Sequence, residues 1–184
     1  MNAQIAKELV TLAEYDLTVR ERLLKESKLT QGYNSEMETV HKANASRLKE
    51  IIDLMGWPTI SKVGDEASEA AWLIVQHSIG EPDFLRRCYA LMNESAADIN
   101  PQNLAYLYDR ICYFEGKPQK YGTQYDDGGM YPVENKNEVN ELRKKIKLKP
   151  HPEGTIVEVK SSNDSDDIHN DAGFNEWRKK TGWI

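Results

Sequence analysis

Two histidines carry the most chemical interest in this sequence. In the run HKANASRL, His41, Asn44 and Leu48 fall at i, i+3 and i+7, nearly on one helical face, and Arg47 borders it. In the run AAWLIVQH, Ala67, Ala70, Ile74 and His77 share a face, and Gln76 stands in the adjoining row. Imidazole titrates near neutrality, so one neutral ring can take a proton while a protonated one donates. One histidine on an apolar face is more often a satisfied core group, needing only one donor and one acceptor. Two, each beside a carboxamide, point to a site.

Asp109 and Arg110 follow, and then Gln119, Tyr121, Thr123 and Gln124 within a few residues. In an extended strand Gln119, Tyr121 and Thr123 face one side while Lys120 and Gln124 face the other, and Gly122 permits close backbone approach. These residues fit an enzyme in which His41 and His77 act as general acid and base and Asp109 orients or charge-stabilises an imidazole. Arg47 or Arg110 would hold an anion, and Asn44, Gln76, Gln119 and Gln124, with Tyr121 and Thr123, would read polar edges of the substrate. The expected chemistry is hydrolysis or elimination on a small polar, anionic metabolite, with no metal and no cofactor. The plain alternative makes Asp109 and Arg110 simple ion pairs and the strand a solvated edge.

No nucleophile stands out: Ser68 lacks a nucleophile elbow, and Cys88 and Cys112 lie on apolar stripes. P-loop and GxGxxG signatures are absent, which argues against ATP-dependent and nicotinamide chemistry. A second function class is a non-catalytic protein that sequesters a nucleotide or small anion with the same arginines and carboxamides. A third is a metal centre of His41, His77 and Asp109, which lacks HExxH or any short-range ligand pair.

The elements that must position these groups are mostly helical. Ile5, Leu9, Leu12, Val19 and Leu23 mark a helix within residues 2–28, broken at Gly32. Ser35 and Glu38 fit a capping box opening a second helix, which ends at Gly56, Trp57 and Pro58. A third helix follows the turn-like segment up to Gly64, with Gly80 as its expected C-cap. Pro82 and Pro101 each suit the first turn of a further helix. QKYGTQY and MYPV, around a Gly-rich turn at Asp126 to Gly129, predict a short hairpin near 118–133. NKNEVNELRKKIKL predicts a last core helix whose Arg143, Lys144, Lys145 and Lys147 complement its dipole. The fold class is therefore α+β, a mainly helical single domain with a short antiparallel hairpin. Residues 1–149 form the core and 150–184 an acidic linker with a terminal docking segment bearing Trp177 and Trp183.

The chain has 184 residues, with 24 Lys and Arg against 30 Asp and Glu, a formal net charge of −6. That length buries a core without disulfides or a structural metal. The negative balance argues against nucleic acid as a partner. No apolar run approaches the roughly 20 residues of a membrane span, and the N-terminus lacks a signal pattern. A membrane partner is not expected, the two cysteines suit a reducing compartment, and a cytoplasmic location follows. His151, between two prolines, and His169, in the acidic stretch, are expected in solvent. The terminal segment offers a route to a homo-oligomer.

At these same positions the chain resembles a family of uncharacterised bacterial proteins. The resemblance rests on His41, Asn44, Arg47 and Leu48; on Gly56, Trp57 and Pro58; on Val63, Gly64 and Ser68 through His77; on Asp109 and Arg110; and on Gly116, Gln119 and Tyr121 to Gln124. It covers roughly residues 35–148 and implies a shared polar site, without an activity to carry over.

Overall fold

The computed structural model describes residues 1–29, 33–126, 128–159 and 168–184. The architecture is mainly helical α+β with a two-stranded antiparallel sheet. The described residues gather into two compact units, Met1–Asn100 and Pro101–Ile184.

The first unit is helical. Helix α1 (Ala3–Lys25) buries Ile5, Leu9, Ala13, Asp16, Val19 and Leu23, spaced by three or four residues throughout, so one continuous stripe faces inward. Asp16 occupies the centre of that stripe. Helix α2 (Ser35–Met55) buries Met37, Val40, His41, Asn44, Leu48 and Ile52 among others. Val19 and Leu23 pack with Met37 and Val40, which ties α1 to α2 next to the polar residues. A short α3 (Ile60–Val63) occupies the segment expected as a turn, and α4 (Asp65–His77) and α5 (Pro82–Glu94) complete the unit. Helix α1 lies against α2, α3 and α4.

Two terminus expectations need correction. Asn34, not Ser35, caps α2: its side chain accepts from the amides of Glu36 at 2.9 Å and Met37 at 3.1 Å, which makes Ser35 the first helical residue. Asparagine is as good a cap as serine, and the neighbour with extended backbone takes the role. Helix α4 stops at His77 rather than running to Gly80, with Ser78 as the C-cap and its hydroxyl donating back to the Ile74 carbonyl at 2.7 Å. Gly32, the expected helix breaker, lies outside the described residues.

In the second unit, α6 (Pro101–Glu115) leads into a loop and the strands β1 (Tyr125–Asp126) and β2 (Gly129–Met130), paired Tyr125 to Met130 and Asp126 to Gly129. Residue 127 of the expected turn lies outside the described residues. Helix α7 is Lys136–Lys145 and α8 is Ala172–Thr181. The segment 119–123 is not the strand expected. Only Gln119 makes a bridge, to Val133, which also bridges to Glu158, and residues 120–122 are bent. Arg143 leaves the expected basic cluster: it is buried, and its guanidinium donates to the carbonyls of Lys149 at 2.6 Å and Tyr121 at 2.7 Å.

Candidate functional site

The two histidines meet in the first unit. Helices α2 and α4 bring the His41 and His77 rings to 5.3 Å between centroids. Between them stands Asp16 of α1, 1% exposed, which the sequence reading did not single out. Its Oδ1 lies 3.0 Å from His77 Nδ1, a hydrogen bond, and its Oδ2 lies 3.2 Å from His41 Nε2. The second approach lacks hydrogen-bond geometry, and Asp16 Oδ2 and His41 Nε2 are both buried without a hydrogen-bond partner among the described residues. On its other side His41 meets the Tyr33 hydroxyl through Nδ1 at 2.7 Å. His41 is nearly enclosed, whereas the His77 side chain keeps 23% of its surface.

Burial alone would raise the Asp16 pKa, but the close approach of His41 and the hydrogen bond from His77 outweigh it and hold the carboxyl well below the usual carboxylate range. Burial pushes the Tyr33 phenol up, and the carboxylates of Glu38, Asp16 and Glu81 add to the shift. The cluster thus holds a fixed negative charge shared by two imidazoles. Beside it, Tyr33, His41, Lys42, Ser78, Gly80 and Glu81 line a shallow recess too tight to admit a water molecule, so the residues sit close-packed here rather than around a metabolite-sized pocket.

Other expected site residues of this unit have structural partners. Asn44 donates to the Leu12 carbonyl at 3.1 Å and helps lock α1 on α2. The Arg47 guanidinium grips Glu8 at 2.5 and 3.0 Å and also pairs with Glu50, so its charge is already matched. Gln76 is buried, and its Nε2 has no hydrogen-bond partner among the described residues.

Asp109 belongs to the second unit, where it organises a loop. Its carboxylate accepts from the amides of Lys120 at 2.8 Å, Tyr121 at 3.0 and 3.1 Å and Thr123 at 3.0 Å, and from the Thr123 hydroxyl at 3.0 Å. Burial raises its pKa while these donors oppose the shift. Gln119, 0% exposed, closes the same loop: its amide donates to the carbonyls of Gln124 and Tyr131, and its oxygen accepts from the Gln124 amide. Gln124 in turn donates to Thr123 Oγ1 at 3.1 Å, and the Tyr121 ring rests edge-on against Tyr108. The expected polar reading surface is therefore a hydrogen-bonded clamp. Arg110 differs, because its Nε is buried with no hydrogen-bond partner among the described residues, and burial lowers its pKa to about 10.

His151 and His169 are not in open solvent. His151 Nε2 meets the Gly122 carbonyl at 2.8 Å, and His169 Nε2 meets the Tyr113 carbonyl at 2.6 Å. Cys88 and Cys112 are free and buried, and burial pushes the Cys112 thiol up to about 12, which leaves it inert at neutral pH. Among the described residues no helix is long and apolar enough to cross a membrane.

With the geometry in view, the comparisons with known proteins place the chain in a family. Residues 3–160 match the model of DUF6624, a family of unknown function, and the chain belongs to it. No curated protein and no solved structure matches the chain.

Proposed function

We propose that this chain is an enzyme for hydrolysis or elimination on a small polar metabolite, with Asp16, His41 and His77 as its chemical centre. The observation that supports this reading is one buried carboxylate standing within 3.2 Å of two imidazoles carried by different helices. A carboxylate on Nδ1 fixes the tautomer and orientation of the His77 ring, which is what a general base requires. His77, the more exposed ring, is the group that exchanges protons with substrate in the metal-free cluster. His41, wedged between Tyr33 and Asp16, sets the charge and position of the carboxylate. Asp16 thus takes the orienting role expected of Asp109.

One observation favours a second reading, a protein that binds a small anion without turning it over. Arg110 places a buried guanidinium Nε in the second unit with no hydrogen-bond partner among the described residues, and a buried donor left unmatched is uncommon unless water or a ligand completes it. A single experiment separates the two. Small molecules released from purified wild type and His77→Gln are identified by mass spectrometry, and each is then incubated with both proteins. The enzyme reading expects wild type to consume one of them and His77→Gln to retain the ligand while losing about 100-fold or more in turnover. Equal retention with no consumption by either protein would establish the binder instead.

A further inference from the structure

We infer that Asp16, His41 and His77 form a binding site for a divalent first-row transition metal ion. Each offers one ligand atom, and the three atoms lie within 4.8 Å of one another. Two donors each about 2.1 Å from one ion stand about 3.0 Å apart at an octahedral angle and about 3.4 Å at a tetrahedral one. Asp16 Oδ1 lies 3.0 Å from His77 Nδ1 and Oδ2 lies 3.2 Å from His41 Nε2, each the spacing of neighbouring ligands, so the two oxygens of one carboxylate each face one imidazole of the site.

A second, independent observation points to the same occupant. Asp16 Oδ2 and His41 Nε2 are both buried and have no hydrogen-bond partner among the described residues, although they approach to 3.2 Å. Leaving a buried polar atom unmatched is costly, and an ion accepting a lone pair from each would satisfy both. Tyr33 supplies the outer contact that such sites share, since a phenol oxygen 2.7 Å from His41 Nδ1 can accept its proton and turn Nε2 inward as a ligand. Two imidazoles and one carboxylate leave coordination positions open for water and substrate. Asp109, the carboxylate first considered for a metal, is committed to the amides of its loop.

This inference rests on reading the cluster as the chemical centre, though not on turnover. With the ion bound, both imidazoles serve as neutral ligands and release any proton they carried, and water on the ion replaces His77 as the source of the base. The test strips the full chain with a chelator, then titrates Zn²⁺ by calorimetry and Co²⁺ by visible absorption. Wild type should bind one ion per chain and show the intense Co²⁺ bands of a low-coordinate site. His77→Gln and Asp16→Asn should each lose more affinity than the roughly 10- to 100-fold that removal of an outer hydrogen-bond partner costs. His151→Ala and His169→Ala should bind as wild type. If Asp16→Asn fails to fold, His77→Gln, altered at the exposed end of α4, still decides the matter. Absence of saturable binding up to millimolar zinc, or affinity unchanged in His77→Gln, overturns the inference. No saturable zinc binding in a protein that still consumes one of its released metabolites overturns the metal site and leaves the proposed enzyme intact. A bound ion in a protein that consumes none of its released metabolites upholds the metal site and sinks the enzyme.

Discussion

Every histidine of the chain has a hydrogen-bonding neighbour, yet they differ in what that neighbour can do. His41 and His77 face a carboxylate that can hold a proton or an ion with them. His151 faces only a backbone carbonyl, across Gly122, whose positive φ of 67° and 3.0 Å clearance to His151 leave no room for a side chain. Burial lowers the His151 pKa, and the Arg143 charge reinforces this against the favourable Gly122 contact. The sign follows from proton uptake. The unfolded chain protonates this ring near the ordinary value of about 6.5 while the folded chain resists, so stability is lost as pH falls below that value. Chemical denaturation at pH 7.5 and 5 should show a drop in wild type that His151→Ala reduces, and an identical drop in the variant would remove His151 as its source.

At the level of elements, α6 and the loop after it form one unit through Asp109. A helix presents a carboxylate, and the loop amides of Lys120, Tyr121 and Thr123 close on it. Such bonds replace the ladder that an alternating strand would have made, which is why 119–123 holds its shape without being extended. Asp109→Ala would leave these buried donors unmatched and should destabilise the second unit by about 3 kcal/mol or more, read by thermal or urea melting. Asp109→Asn keeps one acceptor and should lose less. Loss of turnover by Asp109→Asn with unaltered melting would instead return Asp109 to the reacting centre.

For the molecule as a whole, the C-terminal stretch is part of the second unit. Residues 160–167, the middle of the expected acidic linker, lie outside the described residues. On one side of them Val133 hydrogen-bonds to Val157 at 2.7 Å, and Ile156 packs on Met130, Val133 and Val139. On the other, Trp183 is buried and stacked on Phe114 at 5.0 Å between centroids, with Trp177 and Phe174 alongside. The terminal aromatic residues, expected to dock on the body or on a partner, pack within the second unit, including α8, which lies beyond the family match. Deleting residues 151–184, expected from the sequence to spare the core, should now abolish cooperative melting of the second unit. A truncated chain that melts as sharply as the full one would show α8 to be dispensable.

Apolar periodicity and the Pro, Gly and Asn punctuation were enough to place α1, α2 and α4 to α7 and the hairpin, because those signals act through the chain's own local geometry, whereas α8 was expected only as a docking segment. They also marked His41 and His77 as polar intrusions on buried faces. Asp16 was legible in the same way, as the polar residue filling the gap between Leu12 and Val19 in the α1 stripe, but no local rule says which intrusion answers which. Asp109 and Gln119 were recognised as polar residues out of place, while their duty, Asp109 gathering amides 11 to 14 residues away and Gln119 bonding the backbone of Gln124 and Tyr131, depends on a loop closure that spacing does not encode. Likewise only packing shows that Arg47 is matched by Glu8 across 39 residues and that Arg110 Nε is buried with no hydrogen-bond partner among the described residues. Helix type is set by near neighbours, whereas the pairing of buried charges is set by which distant faces come into contact.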